Sequence, residues 1–268
     1  MTIRVFSALI IVGLIFSCSP GKYSVANKIY KKQVKEFAKQ FREYPIKDSF
    51  LTAPGWVGTT NFGMRKPNFV IIHHTAQNSC KQTLQTFTLK HTEVSAHYVI
   101  CKDGTVHHML NDYLRAWHAG AGTWGNLTDV NSSSIGIELD NNGFDSFPVT
   151  QINALLTVLT ALKNQYNIPP ANFIGHEDIA PSRKVDPNVY FPWKILAGNG
   201  FGLWYDTTGV LVPPVFNALE NLRIVGYNIK DSSAAIQAFK RHFLQIDSSK
   251  ILTEEDKKVL YALSKKSM

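Results

Sequence analysis

Apolar residues recur along this chain first as one unbroken run, then at helical and strand spacings. The run covers residues 5–16, behind the single cation Arg4. It has signal-peptide length and falls short of the ~20 residues a helix needs to span a bilayer. Within 25–44 the positions Tyr30, Val34, Phe37, Ala38, Phe41 and Tyr44 repeat every three or four residues, with lysines between them. That spacing predicts an amphipathic helix. Three roles fit it: a spacer, a helix packed on the body, or a basic surface against anionic lipid.

From residue 51 onward, strand and helix patterns interleave. "NFVIIHHTA" (68–76) reads as a buried strand running into a polar loop, and 79–91 can form a helix. "SAHYVI" and "TVHHML" flank Cys101-Lys102-Asp103-Gly104, whose Asp-Gly pair predicts a hairpin. In "SSIGIELD", Ile135, Ile137 and Leu139 alternate with Gly136, Glu138 and Asp140, so the glutamate takes the polar face of a strand. Ile152, Leu155, Leu156, Leu159 and Leu162 mark a helix, and Pro169-Pro170 breaks the chain after it. The class is α/β or α+β: a mixed central sheet flanked by helices. Three short amphipathic segments follow, at 215–225, 233–243 and 253–264, with Gly226 placed to end the first. They predict a small three-helix C-terminal domain. The expected organisation is a signal peptide over 1–17, a tether with the amphipathic helix over 18–50, the α/β domain over 51–208 and the helical domain over 212–268.

Composition narrows the picture. The chain has 268 residues, 44% hydrophobic and 18% charged, enough for a sizeable core and against wholesale disorder. A net charge of +8 suits an anionic partner: nucleic acid, a membrane surface or an acidic wall polymer. Much of the excess lies in 28–42 and at the C-terminus, and no RNA-binding or zinc-finger signature is present, so nucleic acid is the weakest of the three. Ile15-Phe16-Ser17-Cys18 resembles a bacterial lipoprotein cleavage box, although Phe16 is bulkier than that position usually holds. On this reading Cys18 becomes a lipidated N-terminus anchoring a protein of the cell envelope, and Ser19 in place of Asp favours the outer membrane. The alternative is an ordinary secretory signal with an incidental cysteine. Cys80 and Cys101 remain, as a disulfide or as two separate buried thiols.

Candidate chemistry concentrates in "GHEDIAPSRKVDPN", residues 175–188. His176 and Asp186 are potential metal ligands, with Pro181 and Pro187 stiffening the loop between them. Ala180 lies four residues after His176, which excludes the helical zincin motif. A catalytic zinc needs three protein ligands and an open position. His73, at the end of a buried strand, can supply the third, while His74 points to the opposite face. With nine histidines in the chain, spacing alone singles out no trio.

"VIIHHTA", "SAHYVI", "AWHAG", "SSSIGIELD" and "GHEDIAPSRKVDPN…FPW" occur together and in order. In this they resemble the zinc-dependent N-acetylmuramoyl-L-alanine amidases of the amidase_2 type, the family of bacteriophage T7 lysozyme and the animal peptidoglycan recognition proteins. The resemblance implies one Zn²⁺ held by His73, His176 and Asp186, with Glu138 as catalytic acid/base and Lys184 as catalytic cation. It implies cleavage between N-acetylmuramic acid and L-alanine in peptidoglycan or muropeptides, for wall recycling or remodelling. His97, Tyr98, Trp117 and His118 are candidate substrate contacts, against sheet packing or core capping. His91, His107, His108 and His242 carry no assigned role. The C-terminal segments resemble three-helix peptidoglycan-binding domains, without the familiar glycine between the second and third helices. Rival readings are a wall-binding lipoprotein of the same fold that cleaves poorly or not at all, a zinc peptidase acting within the stem peptide and, last, a nucleic-acid binder.

Overall fold

The computed structural model describes residues 21–41, 59–245 and 249–267. The expected signal peptide, Cys18 and the start of the α/β domain lie outside the described residues. The chain divides into two units, Met1–Gly58 and Thr59–Met268. Helix α1 (Ser24–Gln40) belongs to the first, and none of its residues is buried. The expected continuation of this helix to Tyr44 falls outside the described residues. Among the described residues, no helix is long and apolar enough to cross a membrane.

The second unit is built on five strands: β1 (Phe69–His74), β2 (Tyr98–Ile100), β3 (Val106–His108), β4 (Ser134–Leu139) and β5 (Phe173–Gly175). Their order is β3-β2-β4-β1-β5. β1 runs parallel to β4 and β5, and β2 parallel to β4; only β3 is antiparallel, as the hairpin partner of β2. Gly104 closes that hairpin at φ +88°, a conformation L side chains rarely adopt. The sheet is mixed, as the sequence predicts.

Both faces of the central strands are covered, which is why β1 reads as a continuous apolar run rather than an alternating one. On one face Val70, Ile72, Ile135, Ile137 and Leu139 pack with Ile152, Leu155, Leu159 and Leu162 of α4 (Val149–Tyr166). On the other, Ile71 joins Ala119, Val130, Ile174, Ile179 and Ala180. The alternation along β1 therefore puts His73 on the Ile71 side and His74 on the α4 side.

Four short helices complete this layer: α2 (Cys80–Thr86), α3 (Val130–Ser133), α5 (His176–Ile179) and α6 (Trp193–Gly198). Helix α2 is shorter than the sequence predicts. Ser79 caps its start by accepting from the Gln82 N–H. At its end the Thr88 hydroxyl donates to the Gln85 carbonyl, and Thr92 donates to those of Leu89 and Thr86. Those local bonds offer the backbone an alternative to helix, and a 3₁₀ turn, Lys90–Thr92, takes its place. Cys80 and Cys101 form a disulfide with their Cα atoms 5.3 Å apart, tying the start of α2 to the residue after β2.

Three C-terminal helices follow: α7 (Ala218–Val225), α8 (Ser232–Phe239) extended by a π-helical turn (Lys240–Leu244), and α9 (Glu254–Ser267). They enclose their own apolar cluster, with Leu222, Val225, Ala235, Phe239, Phe243, Leu260 and Leu263 at its centre. Gly226 ends α7 at φ +132°, and a Cβ there would lie 2.3 Å from the Trp124 ring. The helices thus approach the sheet layer at a position only glycine can occupy.

Candidate active site

The carboxyl ends of parallel strands are where an α/β sheet opens a crevice. β1 and β4 are in register, so His73 sits directly beside Glu138. β5 lies on the other side of β1, with Gly175 opposite Ile72, and His176 is the next residue after Gly175. Asp186 comes in on the loop from α5, held because the Glu177 N–H donates to its carbonyl at 2.8 Å. Two adjacent strands, the start of a short helix and one stiff loop therefore bring four distant residues together.

His73 Nδ1, His176 Nδ1 and Asp186 Oδ2 form a nearly equilateral triangle, with separations of 2.9, 3.1 and 3.0 Å. All three residues are buried. Burial, reinforced by His176, holds the His73 pKa down at about 4 against the pull of Asp186, so its imidazole is neutral at pH 7. Burial would raise Asp186, but its close contacts with His176 and His73 keep it below the ordinary carboxylate range. Two imidazole nitrogens and an ionised carboxylate oxygen converging on one point are a donor set for a divalent transition metal. The residues fit zinc. Cys80 and Cys101, which lie near His107, are engaged in their disulfide.

The trio opens into a cleft of about 360 Å³, lined also by His74, Trp117, His118, Glu138, Arg183, Lys184 and Val185. Glu138 Oε2 is shielded and has no hydrogen-bond partner within the protein. Burial, with Asp186 adding to it and Lys184 opposing it, raises the Glu138 pKa to about 8. Lys184 brings positive charge to the same cleft. Trp117, 54% exposed, stands at its wall.

The remaining sequence candidates are placed differently. His97 and Tyr98 do not line the cleft. His97 is fully buried, its Nδ1 accepting from the Gly136 N–H at 3.0 Å and its Nε2 donating to the Leu114 carbonyl at 3.0 Å. Tyr98 donates to Asp112 Oδ2 at 3.0 Å and stacks on His108. Both serve the sheet layer, because their nitrogens and hydroxyl are already satisfied there. His118 reaches the cleft only at its floor, with both ring nitrogens bonded within the protein. His74 accepts from the Asn188 N–H at 3.1 Å and stands outside the trio.

Sequence reasoning missed two groups. One is Arg183, beside Lys184 on the cleft wall, detectable only as the second cation of the same loop. The other lies behind α5. Asp178 Oδ2 accepts from the Gly175 N–H at 2.7 Å and from His242 Nδ1 at 2.8 Å, while its Oδ1 accepts from the Tyr227 hydroxyl at 2.7 Å. Glu177 pairs with Arg241 at 2.6 Å, and both are buried. The helix that begins with His176 is thus gripped from behind by C-terminal side chains. No local pattern announces this, although "KRHF" at the buried end of an apolar helix was an available signal.

A family model described as N-acetylmuramoyl-L-alanine amidase, Amidase_2, matches residues 63–189. N-acetylmuramoyl-L-alanine amidase AmiD of Escherichia coli (strain K12) is 34% identical over 206 residues, 65% of this chain and 74% of its own length. The 1,6-anhydro-N-acetylmuramyl-L-alanine amidase AmpD of the same strain is 38% identical over 105 residues, 39% of this chain and 57% of its own. The structure of E. coli AmiD with the substrate anhydro-N-acetylmuramic acid-L-Ala-D-gamma-Glu-L-Lys superposes with a TM-score of 0.68 at 29% identity. That match covers 78% of this chain and 93% of AmiD. AmpDh3 from Pseudomonas aeruginosa, in complex with anhydromuramic pentapeptide, gives a TM-score of 0.69 at 28% identity over 82% of this chain and 99% of its own. With about three quarters of AmiD matched and the fold shared with both structures, the chain belongs to the Amidase_2 family of N-acetylmuramoyl-L-alanine amidases.

Proposed function

We propose that this protein is a zinc-dependent amidase that hydrolyses the bond between N-acetylmuramic acid and L-alanine in peptidoglycan or its fragments. The observation that carries the reading is the buried triangle of His73, His176 and Asp186 beside Glu138, in a cleft of this family's fold. His73 and His176 would hold the ion through Nδ1 and Asp186 through Oδ2. When bound, zinc supplies Lewis acidity at neutral pH, activating a water and polarising the scissile carbonyl. Glu138 would take the proton of the attacking water and return it to the departing amine, a role typically worth ~10²–10⁴-fold. Lys184 would offset the negative charge that develops on the carbonyl oxygen. Trp117, exposed at the cleft wall, would contact the substrate.

The envelope setting belongs to the same reading. Residues 1–17 act as an export signal, lipidated Cys18 anchors the protein to the outer membrane on its periplasmic side, and 18–50 tether the catalytic domain. The helices of 212–268 contribute a wall-binding surface that raises the local substrate concentration.

Mass spectrometry of purified muropeptides incubated with the protein, with and without chelator and beside His176→Ala, tests the chemistry. Chelator-sensitive release of peptides with a free L-alanine terminus is expected. Cleavage inside the stem peptide, or intact muropeptides with zinc bound, would overturn it.

A further inference from the structure

His118 was a candidate substrate contact, yet it is buried and both its ring nitrogens are engaged. Its bonds form a chain with a defined direction. The Ser134 hydroxyl donates its single proton to the Val130 carbonyl at 2.7 Å. Ser134 Oγ can therefore only accept at its 3.1 Å contact with His118 Nε2, which must carry the proton. With its donor engaged at Nε2, the His118 ring leaves Nδ1 as its acceptor. That Nδ1 lies 3.1 Å from His73 Nε2 and can only accept from it. A neutral His73 with its proton on Nε2 has a free lone pair on Nδ1, the atom that faces His176 and Asp186.

We propose that His118 is a positioning residue, which together with Ser134 fixes the tautomer and ring orientation of His73 so that Nδ1 is presented to a metal ion. The inference rests on the reading of His73 as a zinc ligand.

The surroundings hold the His118 ring firmly. Asn131 Oδ1 accepts from the backbone N–H groups of His118 and Ala119, at 3.0 and 2.9 Å. The His73 and His118 rings meet edge to face at 5.1 Å. On the third side stands Gly136, where an added Cβ would lie 2.4 Å from the His118 ring. The bare backbone of β4 is thus the seat of the ring. The α3–β4 junction supplies every part of the support: Val130, Asn131, Ser134 and Gly136. Partners that orient a metal-bound histidine typically govern 10–100-fold of metal affinity.

Two measurements test the proposal. In metal-free wild-type protein labelled with ¹⁵N-histidine, long-range ¹H–¹⁵N spectra should show His73 protonated at Nε2 and bare at Nδ1; the reverse tautomer overturns it. Zinc competition against a chromophoric chelator then compares wild type, His118→Leu and His118→Asn. Leucine removes the acceptor, and about 10–100-fold weaker binding is expected. Asparagine places its Oδ1 near the position of Nδ1 and should restore most of the affinity. Equal loss in both variants would make the role one of packing alone, and no loss in His118→Leu would leave it no role; either overturns the proposal. Failure of the wild type to bind zinc would remove the ligand reading as well. Zinc held equally by wild type and His118→Leu removes only the positioning role.

Discussion

A carboxyl on the open face of a strand ordinarily ionises at about pH 4. Glu138 keeps its proton up to about pH 8 in the metal-free cleft, because burial and the neighbouring Asp186 outweigh Lys184. A dication beside it favours the carboxylate, so zinc uptake at neutral pH should expel the Glu138 proton. Calorimetric titration in buffers of differing ionisation enthalpy should show fewer protons released by Glu138→Gln than by wild type. The difference should shrink as pH rises past 8, where the wild-type carboxyl is already ionised. An unchanged proton count would mean that Glu138 does not titrate with the metal. On the proposed reading Lys184 acts on developing charge rather than on binding, so Lys184→Met should lower kcat by roughly 10²-fold with a smaller change in KM. Steady-state kinetics on a defined muropeptide would show the reverse split if Lys184 only held the substrate.

At the scale of elements, α5 is the part on which the site depends. It is one turn long and cannot be stable alone; its geometry is set by what grips it. Asp178 accepts from the helix start, from His242 and from Tyr227, and Glu177 pairs with Arg241. Asp178→Ala leaves those buried donors without an acceptor, and a loss of about 3–5 kcal/mol in urea unfolding is expected. Zinc affinity should fall with it, since His176 is the first residue of that helix. A variant that unfolds early yet binds zinc as wild type would separate the grip from the site. Here the limits of the sequence have a physical cause. Strands β1 and β4 were legible because alternation and apolar runs are local, and the trio because motif and order agree. The grip was not, because His242 and Asp178 lie 64 residues apart and neither breaks the pattern of its own element. His97 was misleading for a related reason: a histidine satisfied by a backbone N–H and a carbonyl resembles a cleft histidine until its partners are seen.

For the molecule as a whole, the apolar clusters of the sheet and of the C-terminal helices meet across this polar seam, and buried histidines make the assembly sensitive to acid. Burial lowers His73 and His97 to about 4, both from an ordinary 6.5. The folded state binds these protons less readily than the unfolded chain does. Their contribution is therefore fully present above pH 6.5 and is lost as pH falls through the window down to about 4. A shift of this size corresponds to roughly 3 kcal/mol per histidine. Urea unfolding of the chelator-treated protein should show most of that loss between about pH 6.5 and pH 4, before most carboxylates titrate. Zinc should raise stability across that window, because an ion bound only to the folded state stabilises it in proportion to ln(1 + [Zn]/Kd). Protons compete with zinc for His73 only as pH falls through its folded value of about 4, so the added stability should persist across this interval and decline below it. A flat profile in the metal-free protein would mean that these histidines are not held neutral by the fold. A zinc increment unchanged well below pH 4 would mean that the ion is held by groups other than His73.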